Sequence, residues 1–129
     1  MSVTRYPEGA PGPTGEVMTV EFELSGKRFI GINGGSQLAF TEAVSFQITC
    51  EDQAEVDHFW ERLTDGGEEV QCGWLKDRFG VPWQVVPVGM DEVFADPDPA
   101  RAQRAMQAML GMKKLDLAAM RAAADGVPA

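Results

Sequence analysis

The stretch that decides the fold runs from Val44 to Pro87: VSFQITC (44–50), EDQAEVDHFWERLTDGG (51–67) and EEVQCGWLKDRFGVPWQVVP (68–87). Val44, Phe46, Ile48 and Cys50 alternate with Ser45, Gln47 and Thr49, the period of a strand whose two faces meet different surroundings. Asp52 and Glu55 form a D-x-x-E helix start, a relative of the capping box. Val56, Phe59, Trp60 and Leu63 follow at i, i+3, i+4 and i+7, which lays one apolar stripe along a helix and against a sheet. Gly66-Gly67 supplies the left-handed backbone positions that end such a helix. Val70, Cys72 and Trp74 alternate again, Lys76 to Gly80 reads as a polar turn, and Trp83 to Val86 as a last short strand. Strand, helix and then further strands with short connections predict an α+β fold, one helix covering one face of a mostly antiparallel sheet.

Working outward toward the N-terminus, Ser2 to Tyr6 is a short strand candidate. Pro7 to Gly15 (PEGAPGPTG) is a loop too rich in Pro and Gly for helix or central strand. Met18, Val20, Phe22 and Leu24 alternate with polar neighbours, and Ser25-Gly26 turns that strand tightly into Arg28 to Ile32. Asn33-Gly34-Gly35-Ser36 ends the run, and Leu38 to Ala43 leads into the central stretch. Toward the C-terminus, Asp91 to Phe94 reads as a short turn and Asp96-Pro97-Asp98-Pro99 as a helix start. A helix is predicted over Ala102 to Met112 with Ala102, Met106, Met109 and Leu110 on one side, and a second over Asp116 to Ala124. Four of the seven methionines lie between Met106 and Met120, a stripe that reads as core or dimer contact rather than a soft binding groove.

Composition excludes several function classes. At 129 residues the chain is long enough for one domain with a real core. A formal charge of −9 with 11 scattered basic residues argues against a nucleic-acid or anionic-membrane surface, which needs clustered Lys and Arg. No apolar run approaches a membrane span or a secretion signal after Met1, so a cytoplasmic protein with reduced thiols is expected. Cys50 and Cys72 both lie on the apolar parity of their predicted strands, which points to packing rather than a catalytic thiol. The one histidine, His58, lies about 200° around the helix from Val56 and should be solvated. Ser/His/Asp and Cys/His catalysis would both need that same side chain.

The string CGWLKDRFGVPWQVVP, preceded by EAVSFQITCEDQAEVDHFW, carries a specific resemblance. The stretch resembles one βαβββ module of the vicinal oxygen chelate superfamily (glyoxalase, bleomycin-resistance and extradiol dioxygenase proteins), in the branch labelled 3-demethylubiquinone-9 3-methyltransferase-like. The resemblance runs from about Arg5 into the C-terminal helices. It implies one domain over 1–129, made of a shortened first module (1–43), a second βαβββ module (44–88) and a helical tail (89–129). A complete first module would hold a further strand and helix of about 30 residues before Ser2. Without them, the apolar parity of Met18, Val20, Phe22 and Leu24, with Phe29 nearby, needs another cover, and a homodimer is expected. Its interface is expected at the Met18–Leu24 strand region and the helices after Pro99.

The resemblance also implies where chemistry would sit: a cup on the sheet face opposite the helix, where superfamily enzymes hold a divalent metal through His and Glu. Strand parity turns Ser45, Gln47 and Thr49 to that face, and Gln84 and Val86 with them. The family's metal-site Glu aligns with Gln84 and its His with Ser45 or Gln47, so strong ligands are replaced by amides and hydroxyls and no metal is expected. The methyltransferase label implies S-adenosylmethionine. Yet neither Asn33-Gly34-Gly35 nor Gly66-Gly67 connects a strand to a following helix as a nucleotide-binding loop would, and no cofactor is expected. The remaining candidate is a binding site for a small, neutral, partly aromatic molecule, lined by Ser45, Gln47, Thr49 and Gln84 with Trp74 and Asn33 at its rim. Lys76 and Arg78 read as solvated turn charges rather than an anion clamp.

Overall fold

The computed structural model describes residues 1–35 and 37–127. The chain divides into two compact units, residues 1–39 and 40–129. The first is a three-stranded antiparallel sheet in the order β1 (Ser2–Arg5), β2 (Val17–Leu24), β3 (Lys27–Ile32), so β2 is central. Ser25 and Gly26 both have positive φ (48° and 80°), the backbone of the tight two-residue turn that matches strand twist. Ser36, in the expected strand-ending run, lies outside the described residues.

The second unit contains β4 (Phe46–Cys50), α1 (Gln53–Thr64), β5 (Glu68–Glu69), β6 (Trp74–Lys76) and β7 (Pro82–Pro87), followed by α2 (Met90–Phe94), α3 (Pro99–Leu110) and α4 (Leu117–Ala124). Its sheet has the order β4-β7-β6-β5; only β4 and β7 run parallel. Fold class is therefore α+β with mostly antiparallel sheets and C-terminal helices, as the sequence predicts.

Helix α1 starts where its chemistry places it. The Asp52 carboxylate accepts from the Glu55 amide at 2.9 Å, and the Glu55 carboxylate reaches back to the Glu51 amide at 3.0 Å. The helix ends at Asp65, with Gly66 left-handed (φ 74°) and Gly67 where a Cβ would collide with the Lys76 carbonyl. The predicted stripe is the packing face: Val56 and Trp60 join Cys50, Leu75 and Val85 in a buried cluster, flanked by Ile48, Phe59, Leu63 and Trp83. That settles strand parity as read from the sequence, with the odd set of β7 under the helix.

Four sequence expectations need correction. The run Val70–Cys72–Trp74 is not one strand: β5 ends at Glu69, β6 starts at Trp74, and Cys72 takes a left-handed φ of 58° between them. Alternation there reflects a turn along which Val70, Cys72 and Trp74 are each half-buried. In α3 the inward residues are Ala105, fully buried, and Met109, whereas Met106 and Leu110 stay exposed. The helix also begins three residues earlier than predicted, because Asp98 caps it and Pro99 fits its first turn. The predicted Asp91–Phe94 turn is a full short helix.

The C-terminal helices pack within their own unit. Leu115 and Met120 are fully buried against Val86, with Met90, Met109 and Met112 around them, so most of the methionine stripe is core. Gln53 of α1 fastens this segment: its Nε2 donates to the Leu115 carbonyl (2.9 Å) and its Oε1 accepts from the Leu117 amide (3.3 Å). The Met112 and Lys113 carbonyls accept from the amides of Cys72 and Gly73. Lys114 adds an ion pair to Asp57 at 2.9 Å, and that contact, with the Gln53 amide behind it, holds the Asp57 carboxyl below its usual range.

Candidate functional site

The face of the second sheet opposite α1 carries the candidate site. Register sets Gln47 beside Gln84 and Thr49 beside Val86 across the β4–β7 pair, and Trp74 beside Gln84 across β6–β7. Side chains paired in register share one face, so the parity argument and the observed pairing agree. Gln84 donates through Nε2 to the Ser45 hydroxyl at 2.8 Å, and Gln47 through Nε2 to the Thr49 hydroxyl at 3.5 Å.

Gln47, Thr49 and Gln84 line one concavity of about 240 Å³. Val86, Val88 and Met90 supply its apolar part, and Asp91 its one ionisable side chain. Ser45 is tied to this group through Gln84, and Trp74 flanks Gln84 on β6. Asn33 belongs to the first unit, where its Nδ2 donates to the Val17 carbonyl at 2.9 Å and its carbonyl accepts from the Tyr6 hydroxyl. There it closes the end of the β2–β3 pair.

Sequence reading missed Asp91 and Met90 as pocket residues. The signal was faint: Gly89, left-handed at φ 94°, turns the chain after β7 so that α2 lies beside the sheet face. Lys76 and Arg78 hold carboxylates of the chain itself, Glu42 at 2.8 Å and Asp65 at 3.2 Å. The Glu42 contact pushes the Lys76 ammonium pKa upward.

Elsewhere the chemistry-bearing side chains have structural work. Cys50 is fully buried under α1, and burial, with Glu55 and Asp52 nearby, pushes its thiol up to about 11. Cys72 is half-buried and its Sγ lies 3.7 Å from the Met109 carbonyl. His58 is exposed and meets only the edge of the Phe59 ring among the ring contacts found. No group of three or more His, Cys, Asp or Glu converges as metal ligands among the described residues. Asp77 organises the β6–β7 turn: one carboxylate oxygen accepts from the amides of Phe79 and Val81, the other from the Trp83 indole.

An α+β module with an open polar sheet face and a small mixed pocket defines the class of protein. Residues 1–86 match the family described as 3-demethylubiquinone-9 3-methyltransferase, and the chain belongs to that family. Among solved structures it is similar to a PhnB protein from Bacillus cereus named as a candidate 3-demethylubiquinone-9 3-methyltransferase. The two are 32% identical with a TM-score of 0.60, over 68% of this chain and 78% of that one. A weaker likeness is to protein PA1353 from Pseudomonas aeruginosa, 18% identical with a TM-score of 0.48, over 61% of this chain and 71% of that one. A search of curated proteins finds no match. No helix among the described residues is long and apolar enough to cross a membrane.

Proposed function

We propose that this chain is a small-molecule-binding protein of the vicinal oxygen chelate type, working without a metal in the pocket formed by Gln47, Thr49 and Gln84. The observation that carries the reading is the convergence of these three side chains, from two paired strands, on one concavity with apolar walls. The order β4–α1–β5–β6–β7 is the βαβββ order of that superfamily and supports the assignment. A divalent metal does not fit the donor set. Ser45, Gln47 and Gln84 offer hydroxyls and carboxamides, and neutral amide oxygens hold Zn, Fe or Ni weakly.

The family description names a methyltransferase, which makes transfer from S-adenosylmethionine the second reading. The chain's own turns fit that cofactor poorly. The strand-to-helix turn before α1 is Glu51-Asp52, with no glycine and with the Asp52 carboxylate already capping the Glu55 amide, and the one before α2 is Val88-Gly89, a single glycine leading into a helix of five residues. We further propose a cytoplasmic homodimer, supported by two free cysteines and by exposed apolar residues on β1, β3 and α3.

A fragment screen followed by protein-observed NMR tests the binding reading. Hits are expected to shift the amides of Gln47, Thr49 and Gln84, and Gln84→Leu to weaken them about tenfold, the cost of one unmade polar contact. Hits confined to other surfaces would sink it. Stoichiometric metal lost on Gln84→Leu would overturn the metal-free part, and saturable micromolar binding of S-adenosylmethionine would favour the methyltransferase.

A further inference from the structure

Resting on that reading of the pocket, we infer that its ligand is a small molecule carrying a protonated amine, with the Asp91 carboxylate as the opposing charge. Asp91 is exposed and is the one ionisable residue in the lining, which contains no Lys, Arg or His. Both glutamines turn their donor nitrogens to hydroxyls, Gln84 to Ser45 and Gln47 to Thr49. Their Oε1 atoms have no hydrogen-bond partner among the described residues and present acceptors to an incoming group. An ammonium offers three donors and no acceptor, so it suits carboxylate and amide oxygens together. A carboxylate or phosphate would meet the like charge of Asp91 and those two acceptor oxygens, against one remaining N–H on each glutamine.

Nearby cations do not reverse this. Lys76, on the same sheet face, is paired with Glu42, and Arg101 with Asp96 and Asp125. Arg121 lies against Gly89 and lines the adjoining cleft, which shares Pro87 and Val88 with this pocket and also holds Glu51 and Asp52. The net charge of −9 adds attraction for cations at longer range. The pocket's 240 Å³ falls below the roughly 300–1,000 Å³ of sites for drug-sized ligands, so the amine should be small. Val86, Val88 and Met90 suit a hydrocarbon or ring body.

Benzylamine, benzyl alcohol and benzoate share one ring and differ in charge at neutral pH. Each is titrated into ¹⁵N-labelled protein while the amides of Gln47, Thr49, Gln84 and Asp91 are followed. Benzylamine is expected to bind about fivefold more tightly than benzyl alcohol, the margin of a half-screened charge-assisted contact, and benzoate more weakly than either. Asp91→Asn should abolish the margin of benzylamine over benzyl alcohol. Equal binding of amine and alcohol, stronger binding of benzoate, or a preference that survives Asp91→Asn would overturn the charge assignment while the pocket stands. Silence of Gln47, Thr49 and Gln84 toward all three probes would overturn the pocket reading and this inference together.

Discussion

In residues 1–39, β2 is paired on both sides and turns into β3 through two left-handed residues, yet no described residue of that unit is buried. In residues 40–129, a sheet with shorter strands is closed by α1 on one face and by the C-terminal segment at one end of the other. All the buried apolar residues among those described lie there. Regular pairing and a good turn are thus separable from a core. Backbone pairing fixes register in both sheets, while side-chain burial, the larger stabilising term, is concentrated in one.

The sharpest way to break this contrast is to truncate one apolar side chain in each unit. Leu75 is fully buried between α1 and its neighbours, so Leu75→Ala should cost about 2–5 kcal/mol of unfolding free energy. Ile30 is 59% exposed on β3, and Ile30→Ala should change stability by about 0.5 kcal/mol or less. Urea unfolding of both variants is the measurement. Comparable losses would mean that the first sheet has a core of its own.

How far the sequence revealed this depends on the distance over which each signal acts. The Val56–Phe59–Trp60–Leu63 stripe, the Asp52 cap and the Gly66-Gly67 stop are local, and each appears as read. The string CGWLKDRFG, the most distinctive in the chain, is explained by architecture. Cys72 and Gly73 form a left-handed turn whose amides meet the C-terminal segment, and Asp77 ties the next turn to Trp83. The string that carries the family resemblance thus serves two turns. Alternation misled at Val70–Trp74 because a turn that half-buries every second side chain mimics a strand. The docking of Leu115–Leu117 on Gln53 was illegible, since a glutamine 62 residues away in sequence leaves no periodic trace. Asp91 was missed for the same reason: its place beside Gln84 depends on how α2 folds back after Gly89.

A second effect, smaller than that of Leu75→Ala, belongs to the first unit. Val20, Phe22 and Phe29 are half-buried, with the Phe22 and Phe29 rings stacked at 5.6 Å, and Ile32 and Val3 are exposed. Under the proposed homodimer, light scattering gives twice the mass of one chain at micromolar concentration. Phe22→Ser should then raise the dissociation constant about tenfold, as truncation of an interface aromatic does. A folded wild-type monomer at all concentrations would show that this sheet needs no second copy. Leu110, 53% exposed on α3, offers a parallel variant in the second unit.

A chemical test probes the core that the first unit lacks. The Cys50 thiol is raised from 9.0 to about 11, first by burial and then by Glu55 and Asp52. In the unfolded chain the thiol loses its proton near 9.0, whereas the folded chain keeps it until about 11. Between those values the native state binds more protons than the unfolded state, so unfolding free energy falls as pH rises. The stabilising contribution is complete below pH 9.0 and is lost through the window up to about 11. Urea midpoints at pH 8.5 and 10.5 should therefore differ more for the native sequence than for Cys50→Ala, whose site has no proton to lose. Alkylation by iodoacetamide gives a kinetic reading of the same burial, with Cys50 expected to react only as fast as the unit opens. Labelling of folded Cys50 at the rate of a free thiol, or equal pH dependence in the two proteins, would show that the sheet beneath α1 is as open as the one in residues 1–39.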